Sequence, residues 1–177
     1  MNVSLETETL RFAPAAGEKW FVCHARPRCE KKLAALLQAE EMVHYLPLVP
    51  SIRHYGRQTK RFTKPLFPGY VFARIPLDRK QRIYQQELVA RTITPDDENV
   101  FLEQLQQVRR VVDAGLELTL HPNLTQGMRV RVVSGPLRGI EGVIDNSTNP
   151  LSIIVSMDVL QQGVRVKIPI EALEPLS

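Results

Sequence analysis

Cysteine is nearly absent from this chain of 177 residues: Cys23 and Cys29 are the only two. They are too few for a disulfide framework, and no second pair stands at metal-ligand spacing. Long apolar runs are missing as well. No stretch approaches the roughly 18 to 20 uninterrupted apolar residues of a membrane helix. The first eighteen residues, MNVSLETETLRFAPAAGE, carry three glutamates and no apolar core of signal-peptide length. These absences predict a cytoplasmic protein with no membrane partner. Cys23, His24 and Cys29 do not make a convergent set for zinc or for a base-activated nucleophile, so we expect no catalytic residue, no metal and no cofactor. Two such cysteines more often pack as small hydrophobes.

Acidic residues are the most informative absence. None occurs from Met42 to Leu77, whereas Arg53, Arg57, Lys60, Arg61, Lys64 and Arg74 all fall inside that span. The whole chain is only modestly basic, at +4 from 23 Lys+Arg and 19 Asp+Glu, so the distribution of charge matters more than its total. A solvated hairpin is the plainer explanation of such a stretch. The lack of any nearby carboxylate points instead to phosphate contact. Arg26, Arg28 and Lys31, close to the start of a helix, extend the candidate nucleic-acid set to Arg26, Arg28, Lys31, Arg53, Arg57, Lys60 and Arg61.

Hydrophobic periodicity organises the rest. KWFVCHA (19–25) reads as a strand. Pro27 then stands where a first helical turn can begin, and Cys29, Leu33, Leu36 and Leu37 recur at helical spacing. Residues 43–49 return to strand character, a turn is expected at Tyr55-Gly56-Arg57, and YVFARI (70–75) is a further strand. Asp78 is placed to cap a short helix through Tyr84, and LVARTIT reads as a strand. Thr94, Pro95 and the carboxylates after them form a helix start, with Phe101, Leu105, Val108 and Val112 on one face. This order predicts an α+β layer with helices covering a mostly antiparallel sheet. Residues 114–126 lack a clear period and contain Gly115 and Pro122, so a linker is expected there. Beyond it short strands alternate with turns, including one at 146–150, as in a small closed barrel. The spacing of Leu151, Ile154, Val155 and Val159 would also suit a helix, but the β-branched SIIV favours a strand.

Two motifs stand out. GMRVRVVSGPLRGIEGVI (127–144) joins an alternating strand to a Gly-Pro turn, with Gly135 and Gly139 suited to positive φ and Gly142 to the close approach of another backbone. KPLFPGYVFARI (64–75) sets Phe67 and Tyr70 around a Pro-Gly turn, where turns are normally polar. The first motif resembles the KOW motif. Together with KWFV, the amphipathic helix, the basic hairpin and PLFPGYVF, the chain from about Lys19 to Leu176 resembles the NusG family of transcription elongation factors, with PLFPGY closer to a specialised RfaH-like or UpxY-like antitermination paralogue.

The resemblance implies a flexible amino end (1–18), an NGN-like polymerase-binding domain (19–113), a linker (114–126) and an SH3-like five-stranded KOW β-barrel (127–177). It implies a non-enzymatic, monomeric factor that binds the clamp helices of RNA polymerase and suppresses pausing, with upstream or non-template DNA as a further partner. Its polymerase-binding residues would be Trp20, His24, Phe67, Pro68, Gly69 and Tyr70. By alternation Trp20, and not Phe21, shares a face with His24. The barrel would recruit a ribosomal protein or termination factor through Gly135, Pro136, Leu137, Gly139, Ile140 and Gly142, with Leu137 and Ile140 forming a hydrophobic tip. The alternative is a ribosome- or RNA-binding KOW protein, which accounts for the basic stretch and the barrel but not for the amino half.

Overall fold

In the computed structural model, residues 13, 16–121, 127–145 and 152–177 are described. Most of the 1–18 segment, the end of the expected linker, the turn at 146–150 and Leu151 lie outside them. The chain divides into two units, Met1–Glu98 and Asn99–Ser177.

In the first unit, β1 (Glu18–Ala25), β2 (Val43–Tyr45), β5 (Tyr70–Pro76) and β6 (Val89–Ile93) form a four-stranded antiparallel sheet in the order β2-β5-β1-β6. Period-two alternation divides β1 between two faces. Phe21, Cys23 and Ala25 join Val71, Ala73 and Ile75 in a core under Leu33 and Leu37 of α1 (Glu30–Ala39) and Ile83 of α2 (Lys80–Gln85). Trp20, Val22 and Phe72 lie on the other face and are also buried. Strands apolar on both faces are expected of a sheet whose two sides are withdrawn from water.

Helix α1 begins at Glu30 without a side-chain cap, Pro27 lying in the preceding turn. It ends in a Schellman pairing, Met42 N–H donating to Leu37 O and Glu41 N–H to Gln38 O, with Glu41 at φ 56 in the left-handed position usually given to glycine. Glu40 clasps Arg79 at 2.8 Å and Arg82 at 3.2 Å. Hydrogen bonds from Arg79 and then Arg82 hold its carboxyl below the ordinary 4.5. The clasp is therefore present above that pH and is lost only as acid carries the solution down through the lowered value. Asp78 does not cap α2; a single 3₁₀ turn, Leu77–Arg79, leads into it.

The stretch from 43 to 65 breaks into β2 and a separate two-stranded ribbon of β3 (Leu48–Tyr55) and β4 (Gln58–Pro65). Its two-residue loop, Gly56-Arg57, has positive φ at Gly56 alone, the pattern of a type II′ hairpin turn.

The second unit opens with α3, which runs from Glu98 to Asp113, later than the expected cap at Thr94. Its buried face is Phe101, Leu102, Leu105, Val108 and Val111, so Val111 takes the place expected of Val112. A six-stranded antiparallel sheet follows in the order β12-β8-β9-β10-β11-β7. Four of its strands, β8 (Arg129–Val132), β9 (Glu141–Asp145), β10 (Ser152–Met157) and β11 (Gln162–Lys167), lie where strands were expected, and β12 (Leu173–Pro175) is a fifth. The sixth, β7 (Leu118–His121), falls inside the expected linker, where the edge of β11 offers backbone partners from Gly163↔His121 to Val166↔Leu118. The first residue of α3, Glu98, is the last of the first unit.

Within the sheet, β10 is buried on both faces, including Ile154 at 1% exposure. Glycines on the flanking strands make room for it. A Cβ built on Gly142 would lie 2.7 Å from Ile154 O, and one on Gly163 would overlap Ile154 Cγ2. Gly142→Ala is expected to lower stability by about 1 to 3 kcal/mol through overpacking against a backbone that has nowhere to move. Thermal unfolding measures it, and an unchanged midpoint would mean that Ile154 does not seat against β9.

Candidate functional site

The Pro-Gly segment is a tight turn at the end of the β1–β5 ladder. Tyr70 N–H donates to Phe67 O at 3.1 Å, with Gly69 at φ 91, which is the glycine position of a type II turn with proline ahead of it. Two further bonds pin the turn. Ala25 N–H donates to Gly69 O and Gly69 N–H donates to Glu30 Oε1, both at 2.8 Å. Glu30 is in the first turn of α1, so the carboxylate favoured at a helix start also fastens the turn. Its acidic position was readable from the sequence, but its partner thirty-nine residues away was not.

The ladder sets Trp20 opposite Arg74, Val22 opposite Phe72 and His24 opposite Tyr70, all on one face, as alternation required for Trp20 and His24. The two ends of that row differ. His24 and Tyr70 are partly exposed and stack with ring centroids 4.9 Å apart and planes at 22°. Phe67 and Trp20 are each only 1% exposed. Phe67 packs edge-on to Phe72 at 6.0 Å, so the turn directs its first aromatic inward and its last outward. Pro68 is exposed and Gly69 partly so, with the His24 ring 3.5 Å from where a Gly69 Cβ would be.

The cations of the ribbon divide between its two faces. Arg26, Arg28, Arg53, Arg57, Lys60 and Arg61 are exposed, and Arg28 takes a left-handed φ of 62. Lys31 Nζ donates to Thr63 O at 2.7 Å and to its Oγ1 at 3.2 Å, tying α1 to the ribbon rather than standing free. Register separates Arg53 and Lys60, directly opposed on one face of the ribbon, from Arg61, which opposes Ile52 on the other. Tyr55 and Phe62 share the Arg53 face. Sequence reasoning passed over both, although their spacing of two from Arg53 and Lys60 was a usable signal.

In the second unit the 135–140 loop closes on itself. Gly135 and Gly139 have φ of 79 and 90. Gly139 N–H donates to Val132 O at 2.7 Å and Ile140 N–H to Leu137 O at 3.0 Å. These bonds turn Leu137 and Ile140 inward, to 1% and 0% exposure. The expected hydrophobic tip is therefore core, and Pro136 and Arg138 are exposed together with Gly135 and Gly139. Gln104 and Gln107 of α3 accept bonds from Asp158 N–H at 2.9 Å and Glu141 N–H at 2.8 Å. The polar cleft of about 400 Å³ beside them is thus built partly from groups already engaged in fastening the helix.

Among the described residues no cluster of three or more His, Cys, Asp or Glu side chains suits a metal. Cys23 is fully buried, and burial pushes its thiol up to about 12 against the opposing pull of Lys80. A thiolate nucleophile is disfavoured there. At pH 8 a thiol reagent should modify the half-buried Cys29 well before Cys23, by mass spectrometry of the native protein; equal rates would show Cys23 to be accessible. Phe67→Ala should cost about 3 to 5 kcal/mol in a denaturant melt, whereas Tyr70→Ala should cost much less. The reverse order would place Phe67 at the surface.

A family model described as transcription termination factor NusG matches residues 18–121. No curated protein matches the chain in sequence. Among solved structures, one on domain interaction in Thermotoga maritima NusG is 18% identical and covers 90% of this chain and 98% of that one, at a TM-score of 0.48. A MjSpt4:Spt5 complex is 15% identical, covering 89% and 97%, at 0.27. At those scores neither neighbour adds weight; the family rests on the match that spans β1 to β7. The chain belongs to the NusG family of non-enzymatic transcription factors.

Proposed function

We propose that the chain is an elongation factor whose first unit binds the clamp helices of RNA polymerase, suppressing pausing without making or breaking covalent bonds. The observation that carries this reading is the His24–Tyr70 stack, half in solvent at the end of a rigid ladder. Aromatic residues with few internal degrees of freedom concentrate binding energy at interfaces. Pro68 and Gly69 complete the surface, while Trp20 and Phe67 support it from below. The basic ribbon would meet upstream or non-template DNA, and the barrel, read as a KOW domain, would recruit a further factor through Pro136 and Arg138 rather than through Leu137 and Ile140. A specialised paralogue acting on few operons is the narrower form of the proposal, and genome-wide occupancy separates it from a general factor.

Tyr70→Ala and His24→Ala, each verified as folded, should weaken binding to core polymerase by about 2 kcal/mol or more, the scale of an interface hot spot. Pause duration in a purified elongation assay should lengthen in parallel. Undiminished affinity in both variants would remove this turn from the interface.

A further inference from the structure

The His24–Tyr70 stack has a third neighbour. His24 opposes Arg91 of β6 on one side as it opposes Tyr70 of β5 on the other, and directly opposed residues share a face of the sheet. Tyr70, His24 and Arg91 therefore form one row across the adjacent strands β5-β1-β6: ring, ring, guanidinium. A β-bulge puts Arg91 there. Strict alternation from Val89, which lies in the core under α1 and α2, would send Arg91 to that same core face. The register shifts between His24 and Ala25, so that Ala25 opposes Val89 while His24 opposes Arg91, and Ala90 is the extra residue. Its insertion reverses the phase and aims the guanidinium along the stack. Thr92 then returns to the core face, where its Oγ1 and Tyr84 OH of α2 are 2.9 Å apart and fasten this edge strand in register. Arg91 is exposed, and among the described residues it has no carboxylate partner.

We propose that Arg91 is a specificity-determining residue of the polymerase-binding surface: the row accepts a helix laid across the strands, with an apolar side chain on Tyr70 and a carboxylate on Arg91. The assignment rests on the polymerase reading above and names what that surface requires of its partner. Neighbouring strands are about 4.8 Å apart, so Tyr70 and Arg91 are separated by roughly 9.6 Å. An α-helix rises about 10.5 Å in seven residues, and positions i, i+3 or i+4, and i+7 lie on one of its faces. The partner's carboxylate should thus stand about seven residues from the side chain seated on Tyr70, on the same helix, with a residue between them over His24. An extended segment crossing the same row covers that distance in about three residues. Side chains three apart in a strand point to opposite faces, so such a segment cannot present both groups. A cation on an edge strand also has a plainer use, which is to discourage pairing with another sheet edge. That use requires nothing of polymerase, and the two are separable by measurement.

The test is the affinity of the full chain for core polymerase, in variants whose thermal midpoints match the parent. Arg91→Ala should weaken binding by roughly threefold to fivefold, the upper range of a surface ion pair, and should flatten its salt dependence. Arg91→Glu should weaken it by roughly tenfold or more, because like charges then meet. Changing the acidic residues of the clamp helices to lysine, one at a time, should restore most of the Arg91→Glu loss at one position. Double-mutant cycles should place the residue coupled to Tyr70 about seven positions from it on the same helix. Rescue at a position on the other helix, or far from that spacing, would overturn the crosswise geometry. Weakened binding in Tyr70→Ala and His24→Ala with parental affinity in both Arg91 variants would overturn the role of Arg91 and leave the polymerase reading standing, whereas parental affinity in all four would overturn both. An Arg91→Ala protein that self-associates yet binds polymerase with parental affinity would mark the residue as an edge guard and likewise overturn the proposal.

Discussion

The antiparallel ladder between β1 and β5, in register from Glu18↔Pro76 to His24↔Tyr70, is the constraint from which the first unit follows. It decides which residues of two aromatic-rich strands enter the α1–α2 core and which enter the opposite row. A slip of one residue would turn Cys23 outward and bury His24. The ladder is locked at the site end by the Pro-Gly turn, whose Gly69 is held through both its carbonyl and its N–H. Exposure then rises sharply within one turn: Phe67 is core and Tyr70 is partly exposed. A binding surface of this kind is stiff because the same hydrogen bonds that end the sheet also set the rings.

Electrostatics acts on a different element. The ribbon of β3 and β4 contributes little buried apolar area, and three carboxylates of the unit are engaged elsewhere: Glu18 with Arg74, Glu40 with Arg79 and Arg82, Glu30 with the turn. Among the described residues no carboxylate forms a salt bridge with the hairpin cations, which favours encounter with polyanions at the cost of strong salt dependence. Pairing the cations with Tyr55 and Phe62 orders flexible side chains before any ligand arrives, which lowers the entropy lost on binding.

In the second unit the dominant constraint is volume. Ile154 occupies space that Gly142 and Gly163 leave open, so β10 is buried on both sides and the sheet packs around it. The 135–140 loop spends its two apolar residues on the same interior. What it offers outward is a proline and an arginine, a different recognition chemistry from a hydrophobic tip.

Much of this was legible in the chain itself. Period-two alternation placed Trp20 with His24, the helical spacing of Leu33 and Leu37 placed α1, and the glycine and proline positions located both turns and the positive φ of Gly135 and Gly139. The β-branched run at 152–157 formed a strand despite its passable helical spacing. These are local properties, set by backbone sterics and by the side-chain period within a few residues. Two things were not legible: that Phe67 turns in while Tyr70 turns out, and that β7 arises from an apparent linker. The first depends on Glu30, thirty-nine residues from Gly69, and on packing against Phe72, and the second on the edge that β11 offers. Sequence alone determined where the chain bends and which residues are apolar; tertiary structure decided which of them reach water, because burial is a property of the neighbours and not of the residue.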